Sequence, residues 1–273
     1  MTNLKMFCLS LEPTHYQFIK GLGYIPVGLG DKIFDKDWFS DKEGKNISQK
    51  NKYYGEYTYH YWIWKNYLDK IENNWIGFCQ YRKFFSLEKH ETKNINLNTL
   101  NQQVLKKIPD ELEKYESILG EPIFINQFRS SKFIKKGIKF FLKRPLSIFS
   151  DKKRNINFHF DFMHGENNLN KAINLLDTEN QNDFRQFVNT EMSFNPHNMF
   201  ICKSKQTLKD YYEVVFPWLE RCENLFGFKD LQGFGKIRIY GFLAERFLSY
   251  WFRKNTKSVN IPIIFYDIRK DIN

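Results

Sequence analysis

Apolar residues in this chain fall into short compact blocks, separated by polar stretches and by a few segments of clear helical period. Leu4 to Leu11 is such a block and predicts a first strand. Tyr24-Ile25-Pro26-Val27-Gly28 predicts a second, short extended piece, with Gly28 and Gly30 turning the chain. Residues 31–45 are polar and charged and predict a loop. From Asn51 the period changes. Tyr54, Tyr57, Tyr61, Trp64 and Leu68 recur at three- and four-residue steps, which places them on one face of a helix. Ser48 is the expected cap of that helix, with Asn51 as its capping-box partner. Trp75 to Cys79 then forms a block of the length of a buried strand, and Gln80, Tyr81, Arg82 and Lys83 follow at its carboxyl end.

Further along, a polar segment at 86–103 leads to an expected charged helix near 104–117, and Pro122 to Ile125 predicts a strand. In residues 129–154 lysines and arginines alternate with Phe, Ile and Leu, an abrupt change of character. Residues 167–189 are expected to be helical, Asn198 to Cys202 extended, and 205–226 an amphipathic helix that Pro217 kinks or breaks. A glycine-containing loop leads to a helix at 238–252, and Ile261 to Tyr266 closes as a strand. Strands alternating with helices predict an α/β fold. With no internal repeat and no linker, residues 1–273 are expected to form one domain carrying 129–154 as a basic amphipathic insertion.

Composition narrows the partners. The 273 residues carry 42 Lys and Arg against 31 Asp and Glu, a formal net charge of +11, and 18% are aromatic. That balance suits an anionic partner such as a nucleotide, a nucleic acid or an anionic membrane surface. Cys8, Cys79, Cys202 and Cys222 are far apart and show no CxxC spacing, so neither a zinc site nor a disulfide framework is expected. The amino terminus lacks the apolar core of a signal peptide, and no apolar run reaches bilayer length. The expected location is cytoplasmic or peripheral on the inner face of a membrane. Ligands of open α/β sheets bind outside the carboxyl ends of the strands, so the cations after Gln80 point to an anionic ligand there.

Several segments together resemble a family of bacterial polysaccharide-biosynthesis proteins, long filed as a domain of unknown function and associated with capsule and O-antigen glycosyltransferases of GT-A-like fold. The residues that carry the resemblance are Asn46-Ile47-Ser48, Lys50-Asn51, Glu56, Thr58, Tyr61-Trp62, Trp64-Lys65-Asn66 and the strand ending Gln80-Tyr81-Arg82-Lys83-Phe84-Phe85. Asn198-Met199-Phe200-Ile201 and Arg238 with Gly241-Phe242-Leu243-Ala244-Glu245-Arg246 extend it. Gln80 stands where the family's strand motif has His. The resemblance implies a GT-A-like, Rossmann-like central mixed sheet flanked by helices. It also implies transfer of a hexose, such as galactose, from a nucleotide sugar to a growing cell-surface polysaccharide or lipid-linked glycan.

Such an enzyme must neutralise the leaving diphosphate. Asp35-Lys36-Asp37 is the one Asp-x-Asp, and it falls in a polar loop rather than after a buried strand, so the expected reading is a solvated loop and no metal site is assigned. Arg82, with Lys83, is the expected electrostatic substitute, because a guanidinium offers a fixed fork of donors to phosphate oxygens. Gln80, Asn51 and Arg246 join them as donor-binding candidates. Arg246 falls on the apolar stripe of Ile239, Leu243, Phe247 and Tyr250, so it is either a buried ion pair or a phosphate contact. Glu245 is the expected base for the acceptor hydroxyl, with structural pairing as the competitor. Glu56 and His60 share a helical face, and Glu56, His164 and Asn198 are the acceptor-binding candidates. The 129–154 segment reads as a membrane-surface element with Phe133, Ile134, Phe140 and Phe141 inserted, as a nucleic-acid-binding element, or as a solvated loop. A catalytically inactive assembly partner and a basic nucleic-acid-binding protein are the competing functions.

Overall fold

A computed structural model of the chain describes residues 1–72, 74–90, 95–126 and 154–268. The basic segment, with Phe133, Ile134, Phe140 and Phe141, lies outside the described residues apart from Arg154.

The strands in chain order are β1 (Thr2–Ser10), β2 (Ile25–Gly28), β3 (Phe39–Ser40), β4 (Trp75–Gln80), β5 (Lys83–Phe85), β6 (Lys107–Ile108), β7 (Ser117–Gly120), β8 (Ile123–Phe124), β9 (Ser193–Phe194), β10 (Phe200–Cys202), β11 (Ser258–Ile261) and β12 (Ile263–Phe265). The main sheet runs β11-β7-β10-β4-β1-β2-β3, while β5 continues from β4 and pairs with β12, β6 pairs with β1, and β8 and β9 form a separate ribbon. It is the expected mixed α/β sheet flanked by helices. Strands β3, β2, β1 and β4 are mutually parallel, and their register sets Ser10 against Gly28, Gly28 against Ser40, and Leu9 against Gln80. Four carboxyl ends therefore lie abreast. Strand β10 enters antiparallel to β4, with Phe200 opposite Phe78, so the residues just before it arrive beside Gln80.

Strand alternation divides the core in two. Phe7, Ile76, Phe78, Leu119, Phe200 and Cys202 face one layer, which holds the helices Lys205–Phe226 and Ile239–Asn255. Met6, Cys8, Trp75, Cys79, Ile118 and Ile201 face the other, with Ile19 and Leu22 from the connection between β1 and β2. Burial on both faces explains why these strands read as continuous apolar blocks. Each fully buried side chain such as Phe78 contributes about 1.5–3 kcal/mol relative to exposure.

Several elements differ from the sequence-based expectation. The aromatic helix is not continuous. It comprises Asn51–Tyr54, a break at Gly55, Tyr57–Trp62 and a π-helical turn Ile63–Tyr67. Gly55 adopts φ 58° and ψ −131°, which glycine reaches without steric cost. Ser48 does not cap it; Asn46 Oδ1 accepts from the Ser48 amide and hydroxyl instead. The expected charged helix at 104–117 is absent, because its charges surround short strands: the helix lies earlier, at Leu97–Gln103, capped by Asn96, and Ser117–Gly120 is a central strand. Ile123–Phe124 is extended but belongs to the exposed ribbon. Helix Lys205–Phe226 runs unbroken through Pro217, held by a buried stripe of Leu208, Tyr212, Val215, Trp218, Leu219 and Cys222. Among the described residues no helix is long and apolar enough to cross a membrane.

Candidate active site

The crevice outside the aligned strand ends is built from three segments. Strand β4 ends at Gln80, Tyr81 and Arg82 form the tight turn into β5, and Gln80 pairs with Lys83 across it. The residues expected at this strand's carboxyl end thus form a hairpin tip, on which Arg82 is exposed. The kink at Gly55 brings Asn51 and Glu56 to the same edge, and Arg238, just before helix Ile239–Asn255, reaches them from the opposite side. Ser10, Leu29, Asn51, Glu56, Gln80 and Arg82 are among the residues that line the resulting cleft, together with Arg238. It holds about 80 Å³. That is well below the roughly 300–1,000 Å³ of a site that encloses a small ligand, so the cleft can take in only part of one.

A polar network forms the wall. Gln80 Nε2 donates to Glu56 Oε1 at 2.9 Å and to the His197 carbonyl at 2.7 Å, while Gln80 Oε1 accepts from Lys83 Nζ at 2.9 Å. Glu56 Oε2 accepts from Arg238 at 3.4 Å. Asn51 Nδ2 donates to the Gly55 carbonyl at 3.0 Å and to Thr58 Oγ1 at 3.1 Å, locking the kink. Burial lowers the Lys83 ammonium below its ordinary range, Glu56 and Glu245 oppose that shift, and Arg82 and Arg238 add to it. These five charges therefore act on one another. Arg82 is exposed, its guanidinium lies 4.8 Å from the Tyr81 ring centroid, and no ion pair to it occurs among the described residues.

Glu245 and Arg246 sit deeper. The Glu245 side chain is 12% exposed and that of Arg246 2%. Glu245 Oε1 accepts from the His197 amide at 2.5 Å, and its Oε2 is ion-paired with Arg246. A second nitrogen of Arg246 meets His159 Nδ1 and His164 Nε2, both at 3.3 Å. His164 Nδ1 donates to the Gly235 carbonyl at 2.8 Å, which leaves Nε2 unprotonated and able to accept from Arg246. The guanidinium lies 4.2 Å from the Phe194 ring centroid. Arg246 is therefore the buried ion pair of the two readings its position on the apolar stripe allowed. His164, 3% exposed, is turned to Arg246 rather than to an acceptor, and Asn198, 8% exposed, donates to the Gly241 carbonyl at 3.3 Å. None of Glu245, Arg246, His164 and Asn198 lines the cleft, because helix Ile239–Asn255 is packed into the core along that face.

Arg238, His197, Gly55 and Tyr81 complete what the site-residue expectation left out. Gly55 had a sequence signal, a glycine inside an aromatic helical run. His197 had none: its φ of 80° and the φ of 54° at Asn198 are set by tertiary packing that swings the chain past Gln80 into β10. A Cβ at Gly55 would clash with the Arg238 guanidinium in a backbone conformation that disfavours any side chain. Gly55→Ala is thus expected to cost about 1–3 kcal/mol and to detach Arg238 from Glu56. Urea denaturation checks the first effect, and a crystal structure of the variant checks the second.

His60 is a core histidine engaged at Nδ1, while its buried Nε2 has no hydrogen-bond partner among the described residues. It is fully buried against Phe78 and Phe200, Nδ1 lies 2.7 Å from the Tyr212 hydroxyl, and desolvation lowers it to about 3. Burial also lowers His159 and His197 to about 3, with Arg246 and Lys83 respectively adding to the shift. A histidine held neutral in the fold titrates near 6.5 once unfolded, so protonation favours the unfolded chain. Its contribution is complete above about 6.5 and is lost as the pH falls toward 3, by about 1.4 kcal/mol per pH unit for His60. Melting temperature is accordingly expected to fall steadily below pH 6.5; a flat profile to pH 4 would show that His60 is charged or solvated.

The solved structure of the bifunctional glycosyltransferase WbbM, in its apo form, is similar over 97% of this chain with a TM-score of 0.71 at 19% identity. The chain spans less than half, 45%, of that protein. The fold is therefore GT-A-like, of the class that WbbM shares. The chain belongs to the family described as Domain of unknown function (DUF4422), which matches residues 11–256. No curated protein matches it.

Proposed function

We propose that this protein is a glycosyltransferase that moves a hexose, galactose being the candidate, from a UDP-linked donor to a growing cell-surface polysaccharide or lipid-linked glycan. The observation that carries the reading is Arg82, an exposed guanidinium on the hairpin tip at the carboxyl end of the central strand, beside a cleft also lined by Arg238. Its fork of donors suits the oxygens of a departing diphosphate, and Arg238 adds a second fixed positive charge. Asn51, Gln80 and Lys83 hold the wall against which the phosphates lie. In this reading the cleft takes the diphosphate, and the nucleoside and sugar extend over its rim.

Glu245 was the expected base for the acceptor hydroxyl, and Glu56 an acceptor contact. Glu56 lines the cleft and Glu245 does not, so the proton is assigned to Glu56. Glu245 acts as a positioning residue through the His197 amide. The departure at position 80 fits the same scheme, since the Gln80 amide makes two donations and one acceptance at once, a pattern a neutral imidazole cannot supply. The protein works in the cytoplasm at the inner face of a membrane, where a lipid-linked acceptor is available and the basic segment meets anionic lipid. A thermal-shift panel of UDP-, GDP- and CMP-sugars, each with and without chelator, tests the proposal. A selective rise in melting temperature with UDP-sugars that survives chelation is expected. A response to none of them would leave the inactive assembly partner as the better reading, and a response to oligonucleotides alone would favour nucleic-acid binding.

A further inference from the structure

A second cleft, of about 620 Å³, lies at the β3 edge of the sheet and shares no lining residue with the first. Its size falls within the roughly 300–1,000 Å³ of small-ligand sites. Partly exposed rings of Phe34, Phe39, Trp62 and Tyr67 wall it, and Asp35 and Asp37 stand on its rim. This is where the Asp-x-Asp of the sequence sits. Both carboxylates are exposed, and neither forms an ion pair among the described residues.

The cleft is held open before any ligand arrives. Trp62 Nε1 donates to the Glu43 carbonyl at 2.8 Å. Asn66 Oδ1 accepts from the Lys45 amide at 2.9 Å, and its Nδ2 donates to the Lys45 carbonyl at 2.8 Å. Trp62 immediately precedes the π-helical turn and Asn66 lies within it, and such turns occur frequently at functional sites. They belong to the Trp-x-Trp-Lys-Asn run that the diphosphate cleft does not use.

The charge of this cleft excludes the ligand of the first. In a chain of net charge +11, its lining carries Asp35, Asp37 and Glu43 against Lys36 and Lys42. Lys42 Nζ is already engaged by the Lys32 carbonyl at 2.8 Å. A phosphate or uronate would meet unpaired carboxylates, whereas a neutral polyol would not. Aromatic faces pack against the C–H faces of a pyranose, and ionised carboxylates accept from its hydroxyls.

From this combination of aromatic walls, free carboxylates and a pinned loop, we infer that the β3-edge cleft binds a neutral hexose segment of the glycan being extended. The inference rests on the glycosyl-transfer reading for the identity of that glycan. Lengthening the acceptor by residues that reach the cleft should then lower its KM without changing the KM of the donor.

The test measures saccharide binding with no donor present. Neutral glucose, galactose and mannose tetrasaccharides, and one acidic uronate tetrasaccharide, are titrated against the full chain and followed by saturation-transfer NMR. At least one neutral tetrasaccharide is expected to bind, with a Kd at least tenfold weaker in the double variant Asp35→Asn/Asp37→Asn. Both positions are exposed, so the fold should be kept, and circular dichroism verifies it. Arg82→Ala should bind the tetrasaccharide normally. Binding of no neutral tetrasaccharide, equal binding by the double variant, or preference for the acidic one would overturn the inference. Turnover without such binding would sink this inference alone. Aspartate-dependent binding with no turnover on any donor would sink the transferase reading and leave the saccharide cleft standing.

Discussion

Arg82→Ala is expected to lower kcat/KM for the nucleotide sugar by about 10²–10³-fold while leaving the melting temperature within a degree or so of wild type. The first part follows from the chemistry of the leaving group. In the proposed reaction charge builds on the diphosphate as the bond to the sugar breaks, and donors already fixed in place stabilise it without reorganising. The second part follows from exposure: Arg82 sits on a hairpin tip, and its described contact is with the neighbouring Tyr81 ring. Arg82→Lys should recover only part of the loss, because an ammonium keeps the charge but not the bidentate fork. Initial-rate measurements on the three proteins decide the matter. A near-normal rate in the alanine variant would remove Arg82 from the site and leave Arg238 as the remaining cleft arginine.

Glu245→Ala is expected to destabilise the fold by about 3–5 kcal/mol, chiefly through the guanidinium it strands, with the His197 amide losing its acceptor as well. Arg246 is 2% exposed, and Glu245 is the carboxylate that ion-pairs with it. Without that carboxylate the cation faces His159 and His164, and both are disfavoured from protonating by burial and by Arg246 itself. At about 2–4 °C per kcal/mol for a chain of this size, melting should fall by roughly 10 °C. The double variant Glu245→Ala/Arg246→Met should recover much of the loss, because the replacement side chain would lie among Phe160, Phe194 and Phe242 with no charge to desolvate. If Glu245 were instead the catalytic base, its alanine variant would melt normally and be inactive. Denaturant titration beside a rate assay separates the two outcomes.

The strands were legible where burial on both faces makes a run apolar throughout, as in β1 and β4, and the amphipathic helices where one face must be dry. The aromatic segment was harder. Its three- and four-residue spacing is genuine, yet Tyr59, His60 and Ile63 are as buried as Tyr54 and Tyr57, so no single stripe describes it. One glycine broke the helix, and one π-turn shifted the phase after it. The charged stretch at 104–117 misled because its charges sit on turns around short strands, and a strand of four residues such as β7 leaves too little periodicity to recognise.

For the site, composition and order were enough to locate Gln80, Arg82 and Lys83 at a central strand end, and Glu56 and Asn51 in the preceding helical segment. Those are consequences of local chemistry: apolar runs make strands, and polar residues that follow them sit at strand ends. Which charges meet was decided only by the tertiary structure. Residues 80, 197, 238 and 245 are adjacent because an antiparallel strand and a packed helix converge on one sheet edge, and no local preference encodes that convergence. The same packing buried Arg246 and His164 and left Arg82 in the open, since exposure belongs to the assembled layers and not to any residue alone.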